Sequence, residues 1–328
     1  MSFSPVLTGC AGWSRSRTAS GKGPAISSLA GMAALAIHVM AGAAGNGVET
    51  GLGKQVAQST AVPKRAIEDR VTTTGRDIVV GAYGGITFTH PSVVSITKPG
   101  VTDMTVKDFN WIGSPFKAPI YYGIRVQHWQ PLSGFGGMVD FTHAKAIALA
   151  SDTATFSGTR DGKAVEPKAQ IGKVFRHLEF SHGHNMLTYN GLFRWPSLGA
   201  LSGPFRPYVG LGGGITLPHT EIGFADKNTR TYEYQFAGFV AQILGGVEIS
   251  FGAASMFVEY KFSYSPYEVP LSEESRGFIL FTDLWRQIKA WALSEAPTGG
   301  RLSTILATQH GNAGVLRRVG TLPSPAAR

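Results

Sequence analysis

The chain has 328 residues, with 30 Lys and Arg against 21 Asp and Glu, for a formal charge of +9. Only 16% of residues are charged, 42 are glycine, and the mean hydropathy is close to zero. This profile fits neither a highly charged cytosolic enzyme nor a disordered tail. It suits a protein that hides apolar residues in alternation, as a transmembrane β-strand does. No basic stripe interleaved with aromatics is present, so the positive charge points to an anionic membrane surface and not to nucleic acid.

At the N-terminus, Arg15, Arg17 and Lys22 precede an apolar stretch from Ala25 to Gly42 that ends in Ala41-Gly42-Ala43-Ala44. A basic region, a short apolar region and a small-residue site describe a secretory signal peptide. A permanent anchoring helix is the poorer reading, because the stretch is rich in Ala, Gly and Ser and is broken by His38. The single cysteine, Cys10, follows Leu7-Thr8-Gly9 as in a lipidation box but lacks a basic or apolar run before it. It is read as part of the leader, which leaves the mature chain without a disulfide. The expected organisation is a signal peptide with an extension (1–44), a polar periplasmic linker (45–76), a barrel (77–316) and a disordered tail (317–328).

From Ile78 the hydrophobic period becomes two. The first strand alternates Ile78, Val80, Ala82, Ile86 and Phe88 with Val79, Gly81, Tyr83, Thr87 and Thr89. A second runs from Ile120 to Pro131, a third from Phe135 to His143 and a fourth through Leu187 to Trp195. The fifth covers Phe205 to Leu217, the sixth roughly Tyr232 to Phe251, the seventh Ser255 to Tyr264 and the eighth Arg301 to about Val315. Each core is about ten residues, the length a tilted strand needs to cross a bilayer. The connections alternate between long or intermediate (91–118, 144–184, 218–231, 265–300) and short (132–134, 196–204, 252–254). That rhythm is the one of an outer-membrane barrel with short periplasmic turns and long extracellular loops. The expected fold is an all-β, eight-stranded antiparallel up-and-down transmembrane barrel, monomeric in the bacterial outer membrane.

By alternation Arg125, Asp140, Arg194, Glu248, Glu259 and Lys261 face away from lipid. They are expected to pair in the lumen as a structural plug, since a charge facing lipid at mid-bilayer costs roughly 2–4 kcal/mol. In the last long connection, Thr282-Asp283 precedes Leu284, Trp285, Ile288, Trp291 and Ala292 at helical spacing. Such a helix either rests in the headgroup zone on its tryptophans or forms a lid over the barrel mouth.

Histidines gather at the ends of the strands on one rim: His90, His143, His182, His184 and His219, with His177 in the loop beside them. Lys145, Asn185 and Glu221 are their neighbours. Imidazoles beside a carboxylate are the ingredients of a divalent metal site, so His90, His143, His182, His184, His219 and Glu221 are its candidate ligands. The bland reading is that rim histidines only bond loops or lipid phosphates. No nucleophile elbow, phosphate loop or dinucleotide fingerprint accompanies them.

Several strings resemble one family. They are Tyr83-Gly84-Gly85 with Thr89-His90, Thr105 to Trp111, Phe116-Lys117-Ala118-Pro119-Ile120-Tyr121-Tyr122-Gly123, Asp140-Phe141-Thr142-His143-Ala144-Lys145, His182-Gly183-His184-Asn185, and Pro207-Tyr208-Val209-Gly210. Together, over roughly residues 76–310, they resemble the lipid A oxidase group of OmpA-type outer-membrane barrels. The resemblance implies oxidation of the proximal glucosamine of lipid A to 2-aminogluconate, with O2 as co-substrate, hydrogen peroxide as product and a divalent cation required. Among the motif positions, His143, Asp140 and Lys145 are the implied catalytic residues. The rival reading is a non-enzymatic barrel that stabilises the envelope or binds lipopolysaccharide or host surfaces through its loops. One departure is that the chain ends Pro323-Ser324-Pro325-Ala326-Ala327-Arg328 where such barrels end on an aromatic, so the closing strand is expected to be short or altered.

Overall fold

The computed structural model describes residues 75–131, 133–195, 204–272, 282–293 and 299–323; the expected signal peptide, Cys10 and the expected linker up to residue 74 lie outside them. β1 (Gly75–Thr89) leads into β2 (Ser92–Lys98), β3 (Thr102–Phe109) and β4 (Trp111–Ile112) before β5 (Tyr122–Trp129) returns. After a short turn come β6 (Phe135–Ala148), then β7 (Thr153–Arg160), β8 (Lys163–Ala164), β9 (Lys168–Gln170) and the one-turn helix α1 (Ile171–Val174). β10 (Phe175–Arg194) and β11 (Phe205–Thr216) follow, then β12 (His219–Phe224) and β13 (Thr231–Tyr234). The chain finishes with β14 (Gly238–Phe251), β15 (Ala254–Pro270), α2 (Thr282–Ala292) and β16 (Arg301–Pro323).

β1 pairs antiparallel with both β5 and β16, so the order β1–β5–β6–β10–β11–β14–β15–β16 closes on itself. These are the eight strands that the alternation predicts. The ring is uneven: β1 and β5 pair only from Asp77 to Tyr83, whereas β15 and β16 pair from Ala254↔Arg317 to Pro270↔Arg301. β16 is not short. It extends to Pro323, into the stretch read as tail, where β1 pairs with it as far as Gly75↔Pro323, while the β15 ladder ends at Ala254↔Arg317. The expected sixth strand is in fact two: β13 ends at Tyr234, and β14 begins at Gly238, which adopts φ 126°.

Outward residues of the ring form an apolar band: Ile124 and Val126, Val139, Leu187, Leu211, Ile243, Val258 and Val315 are all exposed. Aromatics edge it at the short-turn end, where Phe193 meets Phe135 at 5.1 Å and Trp195 at 5.2 Å. Tyr122, Phe141, Phe239 and Tyr264 edge the other end. An apolar belt between two aromatic girdles on a closed antiparallel sheet is the surface a hydrocarbon layer requires, and the chain is a membrane-spanning β-protein of the outer-membrane type. On β6 and β10 the outward series turns polar above Phe141 and Leu187, which marks the membrane surface.

Inside, Arg125 Nε lies 3.1 Å from Asp140 Oδ1, and its two terminal nitrogens bond Glu259 at 2.8 and 2.9 Å. Lys261 Nζ donates to the other Asp140 oxygen. Tyr208 donates to Glu259 at 2.8 Å, Asn312 at 3.1 Å, and Tyr83 to Asp140 at 3.0 Å. All four charged side chains are fully buried, and two cations balance two anions. The inward aromatics need room: a Cβ on Gly123 would stand 2.0 Å from the Tyr83 ring, so only glycine lets Tyr83 cross to Asp140. Nearer the short turns, Glu248 accepts from Ser255 at 2.6 Å and lies 3.6 Å from Arg194. The predicted lumenal pairing is present.

The long connections are built of strand as well as loop. β2 pairs with the upper end of β16, β3 with β2, β7 with β3, and β12 with β10. Their alternation buries Val94, Ile96, Met104, Val106 and Phe156 in one apolar core with Trp111, Phe180 and Tyr267, which fills the ring above the membrane. Sequence treats these segments as loops because each hairpin has a single apolar face, which acquires a partner only when the ring brings them together.

Replacing Arg125 by Met leaves Asp140 and Glu259 buried against Lys261 alone, which costs about 3–5 kcal/mol. The expected result is a large drop in the urea midpoint of membrane-inserted protein, followed by heat-modifiable mobility. Substituting Arg125, Asp140, Glu259 and Lys261 together with apolar residues should recover most of it.

Candidate functional site

On β6 the residues Met138, Asp140, Thr142 and Ala144 are buried toward the lumen, so Val139, Phe141, His143 and Lys145 belong to the outer wall. This parity separates the implied catalytic residues. Asp140 is not a rim residue: its carboxylate is taken by Arg125, Lys261 and Tyr83 inside the ring. His143 and Lys145 stand outside, just above the lipid-facing band.

His143 is stacked on Tyr122 with ring centroids 4.9 Å apart and 18° between planes. Its Nδ1 is 2.8 Å from Asn185 Oδ1, and Asn185 Nδ2 donates to Leu217 O at 3.1 Å. The second bond fixes which way the amide points, so Asn185 offers its oxygen and His143 must donate from Nδ1. His143 Nε2 is therefore the bare nitrogen of a neutral imidazole, and it is buried without a hydrogen-bond partner. Burial is the main reason its pKa is lowered; the Asn185 bond works against this, and Lys145 and His182 add to it. Lys145 Nζ donates to Lys117 O.

The same wall continues across β10 onto β12. Glu179 and Glu221 are direct cross-strand partners, and His177 Nδ1 lies 3.4 Å from Glu179 Oε1 and 3.6 Å from Glu221 Oε1. These three offer ligand atoms within 4.8 Å of one another. His182, at a register shift in β10, brings Nδ1 to 4.0 Å from Glu221 Oε2 and its ring to 5.0 Å from His219. Tyr232 and Tyr234 flank His219 at 4.5 and 4.8 Å. Two carboxylates set opposite one another call for a cation. Arg230 supplies one by bonding Glu221. One imidazole and two carboxylates suit a divalent transition metal or zinc in donor type, with Arg230 as the group such an ion competes against.

The six predicted ligands are thus divided. His143, His182, His219 and Glu221 share the outer wall. His184 faces inward, bonded to Tyr267 under the apolar cap. His90 sits at the β1–β16 seam, where the Gln309 amide donates to its Nε2 at 2.8 Å. Sequence spacing could not tell His182 from His184, because the irregularity between Phe180 and His184 inserts two residues in β10 and takes His182 out of the alternation. His177 and Glu179 were the residues to add. Their signal was the H-x-E alternation, which puts both on one strand face.

Burial holds His184 at about 3 and His219 at about 4, below the ordinary 6.5, with His143 lowering the first and His182 and Arg230 the second. Below pH 6.5 the unfolded chain takes protons at both sites and the folded one does not, so stability falls as pH drops toward 4 and levels off below the folded values. Urea midpoints compared at about pH 7 and about pH 4.5 should therefore differ less in His184→Gln than in the parent. Asn185→Asp should raise the His143 pKa, because a carboxylate beside Nδ1 favours the charged ring, and so add a proton at Nε2, read by NMR of the imidazole nitrogens.

No protein-family model matches the chain, and comparison with curated proteins finds no match. Among solved structures the chain is similar to Neisserial surface protein A, at 8% identity and a TM-score of 0.31 over 75% of this chain and 98% of that one. It is similar to the outer membrane protein OprG from Pseudomonas aeruginosa at 9% and 0.36, over 75% and 97%. A third likeness is to the outer membrane protease OmpT from Escherichia coli, at 8% and 0.34, over 74% and 97%. No residue role is carried over from them.

Proposed function

We propose that this protein is a lipid A oxidase whose site opens sideways from its outer wall onto the headgroups of the outer leaflet. The observation that carries the reading is His143 Nε2, a bare imidazole nitrogen held just above the lipid-facing band beside a histidine–carboxylate cluster. A glycolipid in the leaflet presents its sugar at that height.

The reaction is a two-electron oxidation at C1 of the proximal glucosamine. His143 Nε2 takes the proton of the C1 hydroxyl as the C1–H bond breaks and the hydroxyl oxygen forms a double bond to C1. The electron pair and both hydrogens end on O2, giving hydrogen peroxide and the lactone, which water opens to 2-aminogluconate. Asn185 accepts the Nδ1 proton of His143 and so keeps Nε2 as the basic nitrogen, and Lys145 adds positive charge beside an anionic substrate. His177, Glu179 and Glu221 are the residues that would hold a divalent ion, with His182 and His219 beside them. Such an ion, if a redox-active transition metal, would supply the route by which a pair of electrons reaches O2; zinc, which has no redox chemistry, would not.

Mass spectrometry of lipid A from aerated cells expressing the gene tests this. Conversion of the proximal glucosamine should be lost in His143→Ala and in Glu221→Gln, and be retained in His90→Ala. Asp140→Asn should lower the amount of inserted protein without abolishing activity per folded molecule. Unmodified glucosamine in cells carrying correctly inserted parent protein would leave the non-enzymatic reading in its place.

A further inference from the structure

α2 turns part of its surface to the protein and leaves the rest open. Gln287 Oε1 accepts from Phe236 N–H at 2.9 Å, and its Nε2 donates to Tyr234 O at 3.3 Å. Trp291 meets Phe236 and Phe239 edge-on at 5.3 and 5.4 Å. Phe239 is an outward residue at the upper girdle of β14, 57% exposed. The helix therefore lies against the outer wall at the membrane surface and does not lid the mouth, which the apolar cap already fills.

Its other face carries Trp285, 71% exposed, Leu293, 60% exposed, and the exposed Lys289. Trp285 and Lys289 are four apart and so lie on one side of the helix. A large indole left open to water is unfavourable, but at a headgroup boundary its body enters the apolar layer and its N–H stays wet. A lysine one turn away reaches phosphate from the same place. The helix adjoins the lipid-facing girdle, because Trp291 on its packed side rests on the outward Phe239.

We propose that α2 is a membrane-surface anchor: Trp285 and Leu293 enter the headgroup–acyl boundary of the outer leaflet, and Lys289 pairs with anionic lipid headgroups. This rests on the reading of the ring as membrane-spanning. The anchor also fixes the height of β13 and β14, and so of the tyrosines beside His219.

The test uses the full chain with Cys10→Ser and one added cysteine, Trp285→Cys or Leu293→Cys, labelled with an environment-sensitive fluorophore. Val258→Cys, at the middle of the lipid-facing band, is the control. Each is inserted in vesicles of phosphatidylcholine and phosphatidylglycerol carrying nitroxides on the headgroup, near the carbonyl end or deep in the acyl chain. Only preparations with the heat-modifiable mobility of folded protein are compared. Labels at 285 and 293 should lose emission most to headgroup and shallow nitroxides, and be shielded from aqueous iodide, while the label at 258 loses most to deep ones. Iodide quenching at 285 and 293 without lipid quenching, while 258 responds, overturns the anchor alone. Quenching seen only between copies of the chain assigns the face to a second copy and also overturns it. A control at 258 that ignores deep nitroxides sinks the membrane-spanning reading and the anchor with it.

Discussion

The rest of the structure depends on a neutral group of four charges in the ring, Arg125 and Lys261 against Asp140 and Glu259. In a low-dielectric interior each charge is tolerable only because the others answer it, and each carboxylate also takes hydroxyl or amide donors from Tyr83, Tyr208 and Asn312. The group also sets register. Arg125 stands directly opposite Asp140 across β5 and β6. A slip of one residue on any of these strands turns its charge into lipid. The wall therefore has one good alignment, and the glycines that make room for Tyr83 and its counterparts fit only that alignment.

That parity decides where chemistry can take place. Below the membrane surface the outward side must be apolar and the inward side polar, and the interior is filled by the charge group. Above it the outward side is free to be polar, and His143, Lys145, Asn185, His177, Glu179, His182, His219 and Glu221 occupy it within a few residues of the change. The inward side above the membrane is closed by the apolar cap. The clustered polar groups above the membrane therefore lie on the outer wall, at the level of lipid headgroups, and not in the mouth of the ring.

The cap and the site support one another. β12 pairs with β10 and β13 with β12, so the surface that carries His219 and Glu221 is an extension of the ring's own sheet, backed by Ile222 and Leu178 in the cap core. That pairing sets Glu179 and Glu221 face to face despite their like charge, which Arg230 answers at Glu221.

Sequence by itself determined the eight strands, the long–short rhythm and the inward charges, because a strand's period of two is local and lipid punishes every exception. Ile78 to Thr89, Phe205 to Leu217 and the set Arg125, Asp140, Glu259 and Lys261 were legible for that reason. The tertiary structure alone decided which histidines meet. His182 and His184 differ by a bulge, His90 ends on a distant seam, and Asp140 and His143 lie on opposite sides of one wall. It also decided that the long connections fold as paired strands, since their single apolar faces find a partner only after the ring has closed.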